Sequence, residues 1–217
     1  MPEPEYQRHV AAFIRAKLPP PRAGVLEVGC GRGELARELE AAGYDVVAID
    51  PEAPEGAIFR AVRLEDFDGS GPFDAVVASL SLHHIADLGA AIEQIAVLLE
   101  PRGLLVLNEW DRDRFQGATA RWYFHQRQAL AALGREQAEI EPTFEDWWPD
   151  WHERRSDVHP YAAMRPELDR HFSEQLFEWV PYLYGYRLGA ELEPLERVLI
   201  ESGEIEAVGF RYVGQRR

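Results

Sequence analysis

Apolar positions along the chain fall into short continuous runs that alternate with stretches of helical period. Residues 5–18 carry Val10, Phe13, Ile14 and Leu18 at helical spacing, which predicts a short helix. Pro19-Pro20-Pro21 ends it, because proline lacks an amide and restricts the residue before it. Residues 24–28 read as an apolar strand, 29–33 as a glycine-rich turn, 34–42 as a helix stopped by Gly43, and 45–50 as a second strand. Continuous apolar runs suit parallel strands buried on both faces. The alternation continues with a strand at 57–64, a turn at 68–72, a strand at 73–80 and an amphipathic helix at 87–99. Pro101-Arg102-Gly103 breaks that helix before a fifth strand at 104–107. Five strands alternating with helices predict a doubly wound α/β sheet.

The character changes after Asp111. Of 24 aromatic residues, 17 lie in 111–217, so the first half reads as scaffold and the second as a specialised pocket or cap. A helix is expected at 117–134, a strand at 175–186, a helix at 193–202 and a last strand at 205–213. The tryptophan-rich run 144–152 reads as something other than a simple helix. Tyr182, Tyr184 and Tyr186 alternate, so on a strand they would share one face. The expected architecture is a Rossmann-like, seven-stranded, mostly parallel sheet with a helical cap inserted after strand five. One domain, 1–217, would divide into a cofactor-binding core at 20–110 and a substrate-binding cap at 111–175.

Composition narrows the function. The chain has 217 residues and a formal net charge of −15. Acids outnumber bases in both halves, which disfavours nucleic acid and anionic membranes as partners. A single cysteine, Cys30, excludes a disulfide scaffold and points to a reducing compartment. The start of the chain lacks a signal-peptide layout, and no apolar run approaches the roughly 20 residues that span a bilayer. The expectation is a cytoplasmic protein without a membrane segment.

The most informative segment is Val25-Leu26-Glu27-Val28-Gly29-Cys30-Gly31-Arg32-Gly33, a strand turning sharply towards a helix. Glycines there let backbone approach a ligand, which in open α/β sheets lies beyond the carboxyl ends of the strands. Asp50 ends the next strand and can accept hydrogen bonds from both ribose hydroxyls of a nucleoside. A dinucleotide brings a pyrophosphate and wants G-x-G-x-x-G with bare amides at the helix start. This chain has G-x-G-x-G, and Glu27 and Glu34 flank the turn. Two carboxylates repel a pyrophosphate but suit S-adenosylmethionine, which offers an ammonium and a sulfonium.

These residues make the resemblance specific. Leu26 through Gly33, with Asp50 closing strand two, resembles the first two motifs of class I S-adenosylmethionine-dependent methyltransferases. Residues 73–80 followed by Leu82-His83-His84-Ile85 are similar to that family's fourth-strand motif, and 99–106 to its helix, proline-glycine turn and fifth strand. The resemblance covers residues 20–110. It implies that Gly29, Cys30 and Gly31 pass under the methionine part of the cofactor and that Glu27 orients its amino group. It implies that Asp50 holds the ribose and that Glu65 or Asp66 meets the adenine amine, with Leu64 or Phe67 against the ring. Ser79 and Leu80 would line the methyl-transfer side.

Methyl transfer from a sulfonium is an in-line displacement that needs positioning, exclusion of water and sometimes a base. The base candidates are His125 and His159. Substrate candidates are Glu109, Trp110, Tyr123, Trp148, Tyr161 and Tyr182. No metal is expected: adjacent His83 and His84 do not converge on one ion easily, and no cluster has metal-ligand spacing. The leading expectation is methylation of an oxygen or nitrogen of a small molecule. The alternatives are a non-catalytic binding partner on the same fold and a dinucleotide-dependent oxidoreductase. Oligomeric state is not legible.

Overall fold

The computed structural model describes residues 4–69, 71–135 and 140–217. Seven strands form one sheet: β1 (Gly24–Val28), β2 (Asp45–Asp50), β3 (Phe59–Ala61), β4 (Phe73–Ser79), β5 (Leu99–Trp110), β6 (Phe172–Val180) and β7 (Gly209–Arg216). Their order is β3-β2-β1-β4-β5-β7-β6. Strands β1 to β5 pair in parallel, and β7 runs antiparallel to both β5 and β6. The sheet is thus mostly parallel with a single reversed strand. Between β1 and β4 the strand order switches direction, and that switch opens a crevice beyond the carboxyl ends of the strands.

Successive side chains of β1 enter opposite layers. Val25 joins Val46, Val77 and Val106 on one face, where α1 (Pro4–Lys17) and α2 (Glu34–Ala41) contribute Ile14 and Leu39. Leu26 joins Val76, Leu105 and Leu107 on the other, where α3 (Leu88–Leu98) contributes Ile92 and Ile95. Each such fully buried aliphatic side chain contributes about 1.5–3 kcal/mol.

The second half departs from expectation in three ways. First, the tryptophan-rich run is a helix, α5 (Phe144–Glu153). Thr143 caps it by accepting the Asp146 amide at 3.1 Å, and Phe144, Trp147 and Trp151 form its buried stripe. Pro149 lies on the exposed side, so the lost amide costs little packing. Second, the helices after β5 divide between the two faces. α4 (Gly117–Ala132) and α5 build onto the layer of α1, whereas α6 (Tyr161–His171) lies against α3 on the opposite face. Helix α6 ends at His171 and β6 begins at Phe172, inside the range expected for a cap.

Third, Tyr182, Tyr184 and Tyr186 are not on a strand. β6 stops at Val180, and a 3-10 turn follows at Leu183–Gly185, so Tyr182 and Tyr186 stack with centroids 5.8 Å apart while Tyr184 turns away to His9. Glu196, on α7 (Glu193–Glu201), holds this turn. It is fully buried and accepts the amides of Tyr182 and Leu183 at 2.9 Å and of Tyr184 at 2.7 Å. Removing the carboxylate leaves three buried donors unsatisfied, each costing about 1–3 kcal/mol. Glu196→Ala is therefore expected to lower the urea-unfolding free energy by about 3 kcal/mol or more; a change below about 0.5 kcal/mol would show that the turn does not depend on it.

Candidate active site

The glycine turn forms where β1 ends against β2 and β4. Gly29 has φ 76°, and a Cβ on it would meet Ser81 Cβ at 2.3 Å, so only glycine fits. Gly31 also has positive φ, but a Cβ there would meet nothing within 4 Å: its face is open. The Asp50 carboxylate accepts the Gly31 amide at 3.0 Å and the Glu52 amide at 2.8 Å. One side chain thus shapes the turn and borders the crevice.

Three cavities line up along this crevice. The first, of about 300 Å³, lies beneath α1, bordered by Tyr6, Glu27, Cys30, Gly31, Ser79 and Leu80. The second, of about 500 Å³, is bordered by Asp50, Leu64, Glu65, Leu80, His84 and Ile85. The third, of about 470 Å³, has an aromatic wall of Trp110, Phe115, Trp151, Tyr182 and Tyr186. Gly29 and Gly31 are shared by the first two, and His84 by the second and third. Leu80 borders all three. It carries φ 53°, a backbone conformation unfavourable for leucine, at the end of β4.

Glu27 lies at the floor of the first cavity. It is 4 % exposed, and its Oε2 has no hydrogen-bond partner among the described residues. Burial, with Glu34 and Asp50 nearby, pushes its carboxyl up to about 8. An unpartnered buried acid facing a cavity fits a cationic ligand. With the open face at Gly31, the residues present suit an amino-acid head group with a positive charge. Burial also pushes the Cys30 thiol up to about 12, which leaves no thiolate for nucleophilic work at neutral pH. Of the two acids after β3, Glu65 borders the second cavity and Asp66 does not.

Several candidates lie elsewhere. Glu109 does not face the acceptor side: it is fully buried, its Oε1 accepting the Ser81 and Leu82 amides at 2.8 and 2.7 Å. Its Oε2 lies 2.5 Å from His83 Nδ1, and Trp110 Nε1 donates to His83 Nε2 at 3.2 Å. This chain positions Trp110 from behind. Tyr123 is buried behind the wall, stacked on Tyr186 with ring centroids 5.9 Å apart. Trp148 stacks on Trp151 at 5.4 Å and forms a layer behind it. Tyr161 packs against Phe177, Trp179 and Phe210 on the α6 face, away from all three cavities. Exposed His125 pairs with Gln128 and borders none of them. His159 Nε2 lies 3.0 Å from the Ile85 carbonyl, which requires a proton on that nitrogen and makes the ring a strap rather than a base.

His84 is the imidazole that borders both the nucleoside-sized cavity and the aromatic one. Burial and neighbouring His83, with ring centroids 4.1 Å apart, hold it below the ordinary imidazole range. It is neutral at physiological pH and able to accept a proton. The sequence places His83 and His84 in the stretch that resembles the fourth-strand motif but does not single out either as a base; their backbone positions after β4 set them at the crevice. Among the described residues, one trio of Glu5, His9 and Glu193 brings possible ligand atoms within 4.8 Å of one another. It lies outside the three cavities, and two of its members are already engaged, His9 with Tyr184 and Glu193 with Arg197.

This sheet order, with its glycine turn and acid-tipped second strand, defines the class I S-adenosylmethionine-dependent methyltransferase fold. The methyltransferase domain family matches residues 4–179, and the chain belongs to that family. A ubiquinone biosynthesis O-methyltransferase from Bradyrhizobium diazoefficiens is 29 % identical over 102 residues, 41 % of this chain and 40 % of that protein. Its counterpart from Xanthomonas axonopodis pv. citri is 36 % identical over 115 residues, 46 % of this chain and 48 % of that one. The chain thus spans less than half the length of these curated relatives. Among solved structures, the N-methyltransferase NodS from Bradyrhizobium japonicum WM9 in complex with S-adenosyl-L-homocysteine gives a TM-score of 0.57 at 13 % identity, covering 98 % of this chain and 87 % of that one. A putative methyltransferase from an antibiotic biosynthesis pathway of Anabaena variabilis gives 0.62 at 14 %, covering 95 % and 96 %. At these identities the likeness is one of fold. No helix among the described residues is long and apolar enough to cross a membrane.

Proposed function

We propose that the protein transfers a methyl group from S-adenosylmethionine to an oxygen or nitrogen of a small planar acceptor. The observation that carries this reading is the meeting of three cavities at Leu80: one with an orphan acid, one tipped by Asp50 and one walled by aromatics. In this reading Glu27 holds the cofactor's ammonium, Asp50 its ribose hydroxyls, and Leu64 and Glu65 its adenine. The bound cofactor supplies an activated methyl and a neutral thioether leaving group. Helix α5, whose Trp151 and the adjoining Arg155 border the third cavity, acts as the cap over the acceptor.

The residues of this chain then have three tasks. Trp110 and Tyr182, with ring centroids 5.9 Å apart, stand with Trp151 and Tyr186 in the aromatic wall against which a planar acceptor packs. The Glu109–His83 pair keeps Trp110 in place. The His84 imidazole accepts the proton that a hydroxyl or an ammonium must lose to become a nucleophile. General bases of this kind contribute about 10²–10⁴-fold. Because His84 works neutral and sits below the ordinary imidazole range, kcat/KM is expected to be flat above that range and to fall on the acid side. His84→Gln is expected to lose the acid limb and at least tenfold in rate; an unchanged profile would remove His84 from the chemistry. The overall reading is tested by incubating the protein with methyl-labelled S-adenosylmethionine and a panel of phenols, catechols and aromatic amines. Label in any of them supports it; consistent failure with all, in protein that binds the cofactor, favours the non-catalytic alternative.

A further inference from the structure

The aromatic cavity contains one feature that a purely apolar acceptor leaves unused. Arg155, half-buried, borders it. Its guanidinium lies over the Trp151 ring, 4.4 Å from the centroid; Nη2 donates to the Tyr186 hydroxyl at 2.5 Å and Nη1 to the Trp151 carbonyl at 3.4 Å, each nitrogen keeping a second N–H. No ion pair within 4.0 Å joins Arg155 to any carboxylate among the described residues, whereas its neighbours Arg154 and Arg112 pair with Asp150 and Asp113. In a chain with 38 acids, a half-buried cation without one is conspicuous. The backbone that carries it is pinned: Arg112 Nη1 donates to the Arg155 and Ser156 carbonyls at 2.7 and 2.6 Å. The only acid bordering this cavity, among the described residues, is exposed Asp157.

A planar guanidinium, stacked on one ring and tethered to a second, has already lost most of its freedom. Such a fork is pre-organised to take a carboxylate with two parallel hydrogen bonds. His84 and Leu80 border the same cavity, on the side that joins the nucleoside-sized one. One molecule can therefore present its nucleophile near His84 and an anion to Arg155 while its ring lies against Trp110 and Tyr182. Resting on the methyltransferase reading above, we propose that the acceptor is an aromatic carboxylic acid bearing a hydroxyl or amino group, and that Arg155 binds its carboxylate.

The test is binding to the full chain saturated with S-adenosylhomocysteine, so that turnover is not needed. Hydroxybenzoates and aminobenzoates are titrated beside their methyl esters, which keep ring and nucleophile but lose the charge. At least one acid is expected to bind tenfold or more tightly than its ester. Arg155→Leu is expected to erase that preference by weakening the acid and leaving the ester unchanged. Arg155→Lys, which keeps the charge but not the fork, is expected to fall between. Unchanged S-adenosylhomocysteine affinity in each variant establishes that it is folded. Esters binding as well as acids, no acid binding, or a preference that survives Arg155→Leu would each overturn the proposal. Failure of S-adenosylhomocysteine itself to bind would instead overturn the methyltransferase reading, and this proposal with it.

Discussion

Asp50→Ala is expected to weaken S-adenosylhomocysteine binding at least a hundredfold. The carboxylate accepts two backbone amides, from Gly31 and Glu52, and its position at the end of β2 sets it at the border of the nucleoside-sized cavity. Hydrogen bonds to a charged acceptor are worth about 1.5–3 kcal/mol each, and a hundredfold change corresponds to about 2.7 kcal/mol. On the proposed reading, in which Asp50 holds the ribose hydroxyls, losing those contacts alone reaches that figure. Loosening Gly31, the residue whose open face borders both cofactor cavities, adds to it. Asp50→Asn keeps an acceptor for one amide and should lose less. Calorimetric titration of the two variants measures the difference; an Asp50→Ala protein that binds within threefold of wild type would remove Asp50 from the cofactor site.

Glu27→Gln is expected to have opposite effects on stability and on binding. Burial raises the Glu27 carboxyl to about 8, above its ordinary value of 4.5. Between those values the unfolded chain has lost a proton that the folded, ligand-free protein retains. The stability linked to this group is therefore full below pH 4.5 and is lost as pH rises through 8. Glutamine carries no such penalty, so Glu27→Gln should melt several degrees higher than wild type at pH 8, the gap closing towards pH 5. Ligand binding runs the other way. An ammonium beside Glu27 favours the carboxylate, so wild type at pH 7 should release a proton on binding S-adenosylhomocysteine. Calorimetry in buffers of different ionisation enthalpy reads that proton directly. Glu27→Gln should release none and bind at least tenfold more weakly. Equal affinity and equal proton release in both proteins would show that the orphan acid does not meet the ligand.

The first half of the fold was legible because its signals are local. The apolar run at β1 and the glycines after it sit within a few residues of what they control, and Asp50, 19 residues from the Gly31 amide it holds, is marked by its place at the tip of β2. The same holds for Ser79 and Leu80, which border the crevice where β4 ends, and for Leu64 in the short turn after β3. The second half is governed by distant partners. Nothing near Tyr182 announces that Glu196 will fold its backbone into a turn, so an alternating tyrosine pattern read as a strand. The tryptophan-rich run forms a helix despite Pro149, because a capping threonine and three large buried rings outweigh one missing amide. Tyr161 and Trp148 share composition with the wall yet sit on another face or in a layer behind. His84 is legible as part of the stretch after β4 but not as a base, because its place between two cavities depends on the turn at Leu82–His84 and on helices far along the chain. Glu109 was expected at the acceptor, but its position beside β7 turns it inward to hold His83.

The central claim is that the crevice takes S-adenosylmethionine. Titrating folded protein with its demethylated product, S-adenosylhomocysteine, beside NAD under the same conditions tests this most directly. The account predicts saturable one-to-one binding of the sulfur ligand, with a proton released at pH 7, and no heat from NAD. Silence with S-adenosylhomocysteine, or binding of NAD alone, would contradict it.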